Sequence, residues 1–236
     1  MDRFVRRFVP ELSIGPKSLR YLLTRNAVES SAKFVEQHMR DAQPFETREG
    51  LYRHVIARMS AQGLILEFGV HNGHSINAIA SLTDRTVHGF DSFEGLPEGN
   101  DIPKFTDGGV KWYAGKMSRG GTLPDVRYNV ALHKGWFDSV LPQFFANNEG
   151  QVALMHIDCD IYWSTKCVLD CSRKRISEGT IVIFDEYMNF EGWQRHEHRA
   201  LTEFVATTGM RYEFIAYTYL GGAAIRVLGF DGEKSH

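Results

Sequence analysis

The strongest constraint on the fold is a pair of short segments that carry apolar residues on both faces. Residues 152–157 and 180–184 are almost continuously apolar, and each is followed at once by an aspartate. A strand in a sheet with one solvated face alternates apolar and polar residues, whereas a strand covered on both faces does not. The two segments therefore predict central strands of a mostly parallel sheet with helices packed on both faces.

The rest of the chain alternates short apolar runs with helical patterns. Further strands are predicted at residues 64–69, 86–91, 126–132, 211–218 and 223–228, and helices at 29–40, 47–60, 74–82, 163–176 and 193–208. The last two strands flank a turn at Gly221 and Gly222 that is too short for a crossover helix, so they must pair antiparallel. The pattern predicts an α/β fold whose seven-stranded sheet ends in an antiparallel hairpin. We expect residues 1–60 to form a helical extension or lid and residues 61–236 to form the main domain.

Composition excludes several classes of protein. The 236 residues carry a net charge of −2, so no basic excess indicates a nucleic-acid partner. No apolar run approaches the length of a membrane span, and the N-terminus lacks the apolar core of a signal peptide. We therefore expect a cytoplasmic protein. Homo-oligomerisation is left open.

A glycine-containing loop follows the first of these predicted strands. Gly69 and Gly73 allow a tight turn and the close approach of a ligand, and Glu67 lies two residues before the first glycine. The three-glycine dinucleotide pattern is absent, and an acidic residue would repel a pyrophosphate. The loop instead suits a ligand with an amine or another positive centre, although a tight connection without a ligand is the simpler alternative.

The second strand of this main domain ends in Asp91, 24 positions after Glu67. An acidic residue at this place in an α/β fold can accept hydrogen bonds from both ribose hydroxyls. Ser92 and Phe93 follow it and are candidates to flank an adenine. The alternative is that Asp91 only caps its own loop.

Two groups of acids follow the two apolar strands. Asp158 and Asp160 come after one strand, and Asp185 and Glu186 come after the other. Clustered carboxylates raise each other's pKa unless a cation lies among them, and ligands with oxygen atoms only favour Mg²⁺. The alternative is that these acids cap helices or lie in solvated loops.

Three histidines near these segments are expected to be structural residues rather than members of the site. His156 precedes Asp158 by two and shares its face of the sheet, which would allow a role in the site, but we expect it to be a buried strand residue. His196 and His198 are expected on an exposed helix face, with contact to a substrate as the alternative.

Taken together, these motifs resemble the macrocin O-methyltransferase family, class I S-adenosylmethionine-dependent enzymes that methylate sugar hydroxyls in antibiotic biosynthesis. The matching segments are residues 66–75, 89–97, 134–137, 156–162 with 164–165, and 183–187, in family order. The resemblance implies the Rossmann-like methyltransferase fold, S-adenosyl-L-methionine as cofactor and a bound Mg²⁺.

The resemblance also implies roles for individual residues. The cofactor would contact Glu67, Gly69, Val70, Gly73, Ser75, Asp91, Ser92, Phe93, Gly135, Trp136, Phe137 and Asp158. Asp158, Asp185 and Glu186 match the metal carboxylates, Asp158 would also serve catalysis, and Asp160 matches the proposed general base. The chain departs from the family at Glu186, where an aspartate is usual.

The implied activity is methyl transfer to a hydroxyl of a sugar or a sugar-containing natural product. Two alternatives keep the fold. The acceptor could be a catechol-like phenol or a glycan- or lipid-linked sugar, or the domain could bind S-adenosylmethionine without catalysis.

Overall fold

The computed structural model describes residues 18–60, 62–98, 106–107, 110–111 and 113–232. Its main feature is an eight-stranded sheet. The strands of the chain are β1 (Gln43–Phe45), β2 (Leu64–Phe68), β3 (Val87–Asp91), β4 (Thr106–Asp107), β5 (Val110–Lys111), β6 (Val130–Lys134), β7 (Val152–Ile157), β8 (Ile181–Phe184), β9 (Met210–Thr218) and β10 (Ala223–Phe230). The order in the sheet is β1-β9-β10-β8-β7-β2-β3-β6, and β4 and β5 form a separate hairpin.

Strand direction follows the prediction. Strands β8, β7, β2, β3 and β6 are parallel, whereas β10 pairs antiparallel with both β8 and β9. The eighth strand, β1, pairs parallel with β9 at the edge of the sheet. The predicted architecture is confirmed, with this short edge strand added to the seven.

Helices cover both faces of the sheet. They are α1 (Leu19–His38), α2 (Arg48–Ile56), α3 (His74–Ala80), α4 (Phe137–Asn147), α5 (Tyr162–Ser172) and α6 (Glu197–Thr208). One apolar cluster joins α2 and α3 to one face of the sheet, for example through Val55 and Ile76 against Ile65. The other joins α4, α5 and α6 to the opposite face through residues such as Leu141 and Leu201. Burial on both faces is the reason that the central strands have no polar alternation.

Some elements differ from the predictions, among them α1, which begins at Leu19 and not at residue 29, and the unpredicted strands β1, β4 and β5. The strand predicted at residues 126–132 lies at Val130–Lys134, and helix α4 was not predicted. Pro142 inside α4 obscured its helical pattern, because proline removes a backbone donor. The start predicted for α2 is confirmed: the Thr47 side chain accepts a hydrogen bond from the Gly50 amide at 3.1 Å.

The N-terminal part of the chain contacts the sheet directly. Residues 18–60 contain α1, β1 and α2, and residues 1–17 of the predicted extension lie outside the described part. The boundary at residue 60 remains a prediction. Within the part of the chain that the structure describes, no helix combines the length and apolarity needed to cross a bilayer.

Candidate active site

A cavity of about 560 Å³ opens at the carboxyl ends of the central parallel strands. This is the edge at which open α/β sheets bind ligands. All of the predicted site residues line it except Glu67, Gly73 and Phe93. Those that line it are Gly69, Val70, Ser75, Asp91, Ser92, Gly135, Trp136, Phe137, Asp158, Asp160, Asp185 and Glu186.

Gly69 fixes the junction between the first loop and β7. Its φ is +93°, and a Cβ at this position would overlap the carbonyl oxygen of Asp158. The Gly69 amide donates to Phe90 at 2.9 Å, and the Asp158 amide donates to Phe68 at 2.8 Å. The ends of β2, β3 and β7 are thereby held together, and only glycine fits between them.

Asp91 organises the loop that faces the cavity. Its Oδ2 accepts from the amides of Val70 and His71 at 2.9 and 2.8 Å, and its Oδ1 accepts from Phe93 at 2.7 Å. The bond from the Phe93 amide means that Asp91 does cap its own loop, as the alternative interpretation proposed. Oδ2 already accepts two bonds and Oδ1 accepts one, so Oδ1 can accept a further bond from a ligand.

Aromatic residues near the predicted adenine position separate into two groups. Trp136 is 43% exposed and lines the cavity. Phe93 is 1% exposed and packs in the core, so its ring has no free surface for the predicted adenine contact. The Phe93 carbonyl instead accepts hydrogen bonds from Arg119 and Gly121, which hold a segment whose Met117 lines the cavity.

A buried hydrogen-bonded chain connects the two sides of the site. Ser75 Oγ donates to Glu67 Oε1 at 3.0 Å, Glu67 Oε2 lies 3.1 Å from His156 Nδ1, and His156 Nε2 lies 3.2 Å from the hydroxyl of Tyr52. His156 is buried, as predicted. Burial opposes a charge on this ring, but its interactions with Asp185 and Glu67 raise the pKa of His156 to about 10. Burial raises the pKa of Glu67 as well, although its hydrogen bond to His156 opposes that shift. Glu67 therefore pairs with His156 and does not line the cavity.

The acids form the other side of the site. Ligand atoms of His156, Asp158 and Asp185 lie within 4.8 Å of one another, the one such group of three found among the described residues. Both ring nitrogens of His156 already lie within hydrogen-bond distance of a partner, Nδ1 of Glu67 and Nε2 of the Tyr52 hydroxyl, so neither is free for a metal. The donors that remain are the carboxylates of Asp158 and Asp185. Burial and the neighbouring Asp185 raise the pKa of Asp158.

Glu186 lies beside Asp160 and outside that group of three. Asp160 has a φ of +63°, and burial together with Glu186, which also hydrogen-bonds to it, raises the pKa of Asp160. The Glu186 amide donates to Glu197 Oε2 at 3.1 Å, which fixes its backbone. Ligation by Glu186 and base catalysis by Asp160 remain predictions.

The expectation of an exposed helix face at His196 and His198 was wrong. His196 is 7% exposed, and His198 Nδ1 lies 2.9 Å from the hydroxyl of the buried Tyr187. The helical pattern hid this arrangement because α1 lies over the same surface, where Phe34 packs against Trp193 and His198. Neither histidine lines the cavity.

Helix α2 supplies cavity residues that the sequence motifs missed. Arg48, Glu49 and Tyr52 line the cavity, and Arg48 Nη2 lies 2.5 Å from Asp185 Oδ2. The sequence predicted the helix start at Thr47, but nothing in the local pattern indicated that this helix meets the ends of β7 and β8.

The fold and site define a class of protein. Residues 66–187, about half of the chain, match the sequence profile of a family described as a methyltransferase domain, and the chain belongs to that family. A curated relative from Streptomyces olivaceus, 8-demethyl-8-(2,3-dimethoxy-alpha-L-rhamnosyl)-tetracenomycin-C 4'-O-methyltransferase, is 32% identical over 141 residues. The match covers 53% of this chain and 53% of the relative, so it spans about half the length of that protein.

Solved structures share the fold. CalS11, a calicheamicin methyltransferase, superposes with a TM-score of 0.59 at 21% identity and covers 97% of this chain and 91% of its own. The O-methyltransferase NovP superposes with a TM-score of 0.54 at 23% identity, over 77% of this chain and 79% of its own. The class I methyltransferase fold is confirmed, as is the resemblance to sugar O-methyltransferases of antibiotic biosynthesis.

Proposed function

We propose that this chain is an S-adenosylmethionine-dependent O-methyltransferase that methylates a sugar hydroxyl of a small natural product with the help of Mg²⁺. The observation that carries the proposal is a single cavity in which a nucleoside-type loop faces a pair of carboxylates. The relative from Streptomyces olivaceus, whose name describes a 4'-O-methyltransferase of a rhamnosyl compound, supports a sugar acceptor.

The cofactor side fits a nucleoside that carries no phosphate. The first loop lines the cavity with Gly69 and Val70, and Asp91 offers its carboxylate to a ribose. Trp136 offers an exposed aromatic face for an adenine. S-adenosylmethionine, when bound, supplies an activated methyl group on a sulfonium.

The acidic side fits a hard divalent cation. Mg²⁺ is commonly held by one or two carboxylates and keeps water or substrate oxygens as its other ligands, and Asp158 and Asp185 provide that pair. A cation there would lower the pKa of an acceptor hydroxyl. Asp160 lines the same cavity, where its carboxylate would take up the proton of the acceptor hydroxyl.

The residues of this chain would mainly bind and orient the reactants. Methyl transfer needs the acceptor oxygen in line with the methyl carbon, and alignment by itself can supply much of the rate. Tyr52 and Glu49 of α2 border the acidic side of the cavity, where they would contact an acceptor.

The direct test is transfer of a labelled methyl group from S-adenosylmethionine to a panel of deoxysugar-containing compounds and catechols. We expect transfer to the sugars, its loss in EDTA, and its recovery with Mg²⁺. An Asp185→Asn variant should bind S-adenosylhomocysteine normally while losing Mg²⁺-dependent turnover. Full activity in EDTA would contradict the role of Mg²⁺, and turnover of catechols alone would contradict the sugar acceptor. Failure to bind S-adenosylhomocysteine would contradict the proposed methyltransferase activity itself.

A further inference from the structure

Arg48 is a cation that lines the cavity beside its acidic residues. It is the first residue of α2, and its guanidinium lies 2.5 Å from Asp185 Oδ2. The Asp185 side chain is 4% exposed, whereas the Arg48 side chain is 47% exposed. The pair therefore joins a buried candidate metal ligand to a flexible side chain that reaches solvent.

Two basic side chains of different kinds lie against Asp185. The carboxylates of Glu67, Asp158 and Asp185 face His156, which is fully buried between Glu67 and Asp185 and is held through both ring nitrogens. Arg48 faces Asp185, Asp158 and Glu186 from the open side. His156 cannot leave without exposing buried acids, but Arg48 can rotate away into solvent.

We propose that Arg48 is an exchangeable counter-cation: it neutralises Asp185 when no divalent cation is bound and releases Oδ2 of Asp185 when the cation binds. The inference rests on the metal site of the proposed function. A divalent ion brings two positive charges to a site where Arg48 already supplies one, so the two cations repel each other and compete for the same oxygen. The apparent metal affinity is then the intrinsic affinity multiplied by the fraction of molecules in which Arg48 has left Asp185.

The experiment measures Mg²⁺ binding to the metal-stripped full chain by isothermal titration calorimetry. Arg48→Ala should bind Mg²⁺ roughly twofold to sixfold more tightly than the wild type, the range expected for a partly exposed ion pair that no longer competes. Arg48→Lys should lie between the two. Arg53→Ala, an exposed arginine of the same helix that does not line the cavity, is the matched control and should bind as the wild type does.

Thermal unfolding gives a second readout. In EDTA, Arg48→Ala should have a lower Tm than the wild type, because Asp185 loses its counter-charge, and saturating Mg²⁺ should raise the Tm of Arg48→Ala by more than it raises that of the wild type. Arg53→Ala should show the wild-type increment.

The outcomes separate this inference from the proposed function. If the wild type binds Mg²⁺ and Asp185→Asn does not, but Arg48→Ala binds no more tightly, the exchange is overturned and the metal site stands. Weaker binding by Arg48→Ala would also overturn it, because Arg48 would then support the site. If neither the wild type nor Arg48→Ala binds Mg²⁺, the exchange and the proposed metal role both fail.

Discussion

The two sides of the cavity are built by different physical means. On the cofactor side, backbone geometry decides the shape: Gly69 has a left-handed φ that brings two strand ends together, and Asp91 holds three backbone amides. On the acidic side, charges decide it, because Asp158 and Asp185 lie among His156 and Arg48. The first side depends on local sequence and the second on partners brought together from distant segments.

The difference teaches which kind of change each side tolerates. A backbone-built loop fails when a side chain is added where none fits. A charge-built site fails when one partner is removed, because the other is left buried without compensation. Each side should therefore respond strongly to a substitution that the other would accept.

The largest effect is expected on the charge-built side. His156→Leu leaves Glu67 buried without its positive partner, and we expect the free energy of unfolding to fall by about 3–5 kcal/mol, the usual cost of breaking a buried pair. Urea denaturation followed by circular dichroism measures the change. The double variant Glu67→Gln with His156→Leu should recover part of the loss, because it removes the uncompensated charge. A double variant that loses the sum of the two single effects would contradict the ion-pair account.

The next effect belongs to the backbone-built side. Gly69→Ala adds a Cβ that overlaps the Asp158 carbonyl at a φ of +93°, and we expect a loss of about 2–4 kcal/mol from strain and steric overlap. Gly179→Ala is the matched control, because Gly179 has a similar φ of +87° but nothing within 4 Å of an added Cβ. That control should lose only about 1–2 kcal/mol. Equal losses in the two variants would mean that overlap with Asp158 adds nothing.

The same difference explains how much the sequence could predict. Apolar strands, the glycine loop and the acids at strand ends are local patterns, and the structure brings Gly69, Asp91, Asp158 and Asp185 to one cavity as their positions indicated. Tyr52 was missed because its contact with His156 spans 104 positions, and no local pattern encodes such a pair.

Short or interrupted elements were also hidden. Strand β1 has three residues with Pro44 at its centre, so no periodicity could reveal it, and its place beside β9 depends on tertiary pairing. Phe93 was predicted to flank an adenine because it follows Asp91 closely in the sequence. In the structure its φ is +58° and its ring lies in the core. These errors concern direction and distant contacts. Among the longer elements, the sequence missed α4, whose pattern Pro142 interrupts.

A smaller effect tests whether Asp91 does more than hold its loop. Asp91→Asn keeps the size of the side chain and one carbonyl oxygen while removing the charge, and we expect S-adenosylhomocysteine binding to weaken by about 1–3 kcal/mol. Calorimetry measures the affinity, and the exposed Asp125→Asn is the control for a charge lost near the same loop. If Asp91→Asn lowers the Tm but binds the ligand with unchanged affinity, Asp91 serves the loop alone.

The smallest effect contrasts two histidines, His88 and His156, whose contributions to stability depend on pH in opposite directions. On the β3 and β6 side, burial and then the neighbouring His133 lower the pKa of His88 from 6.5 to about 4, so the unfolded chain takes up a proton first and stability falls as the pH drops from about 6.5 to 4. On the β7 and β8 side, the pKa of His156 is raised to about 10, so its contribution is complete below pH 6.5 and is lost as the pH rises through about 10.

In EDTA, Tm measured across this range should therefore fall at both ends. His88→Gln should flatten only the acidic limb, because it removes the group that titrates there, and the change should be modest because His88 is partly exposed. If the acidic limb keeps its slope in His88→Gln, other groups cause the acid sensitivity. Only the alkaline limb would then support the contrast between His88 and His156.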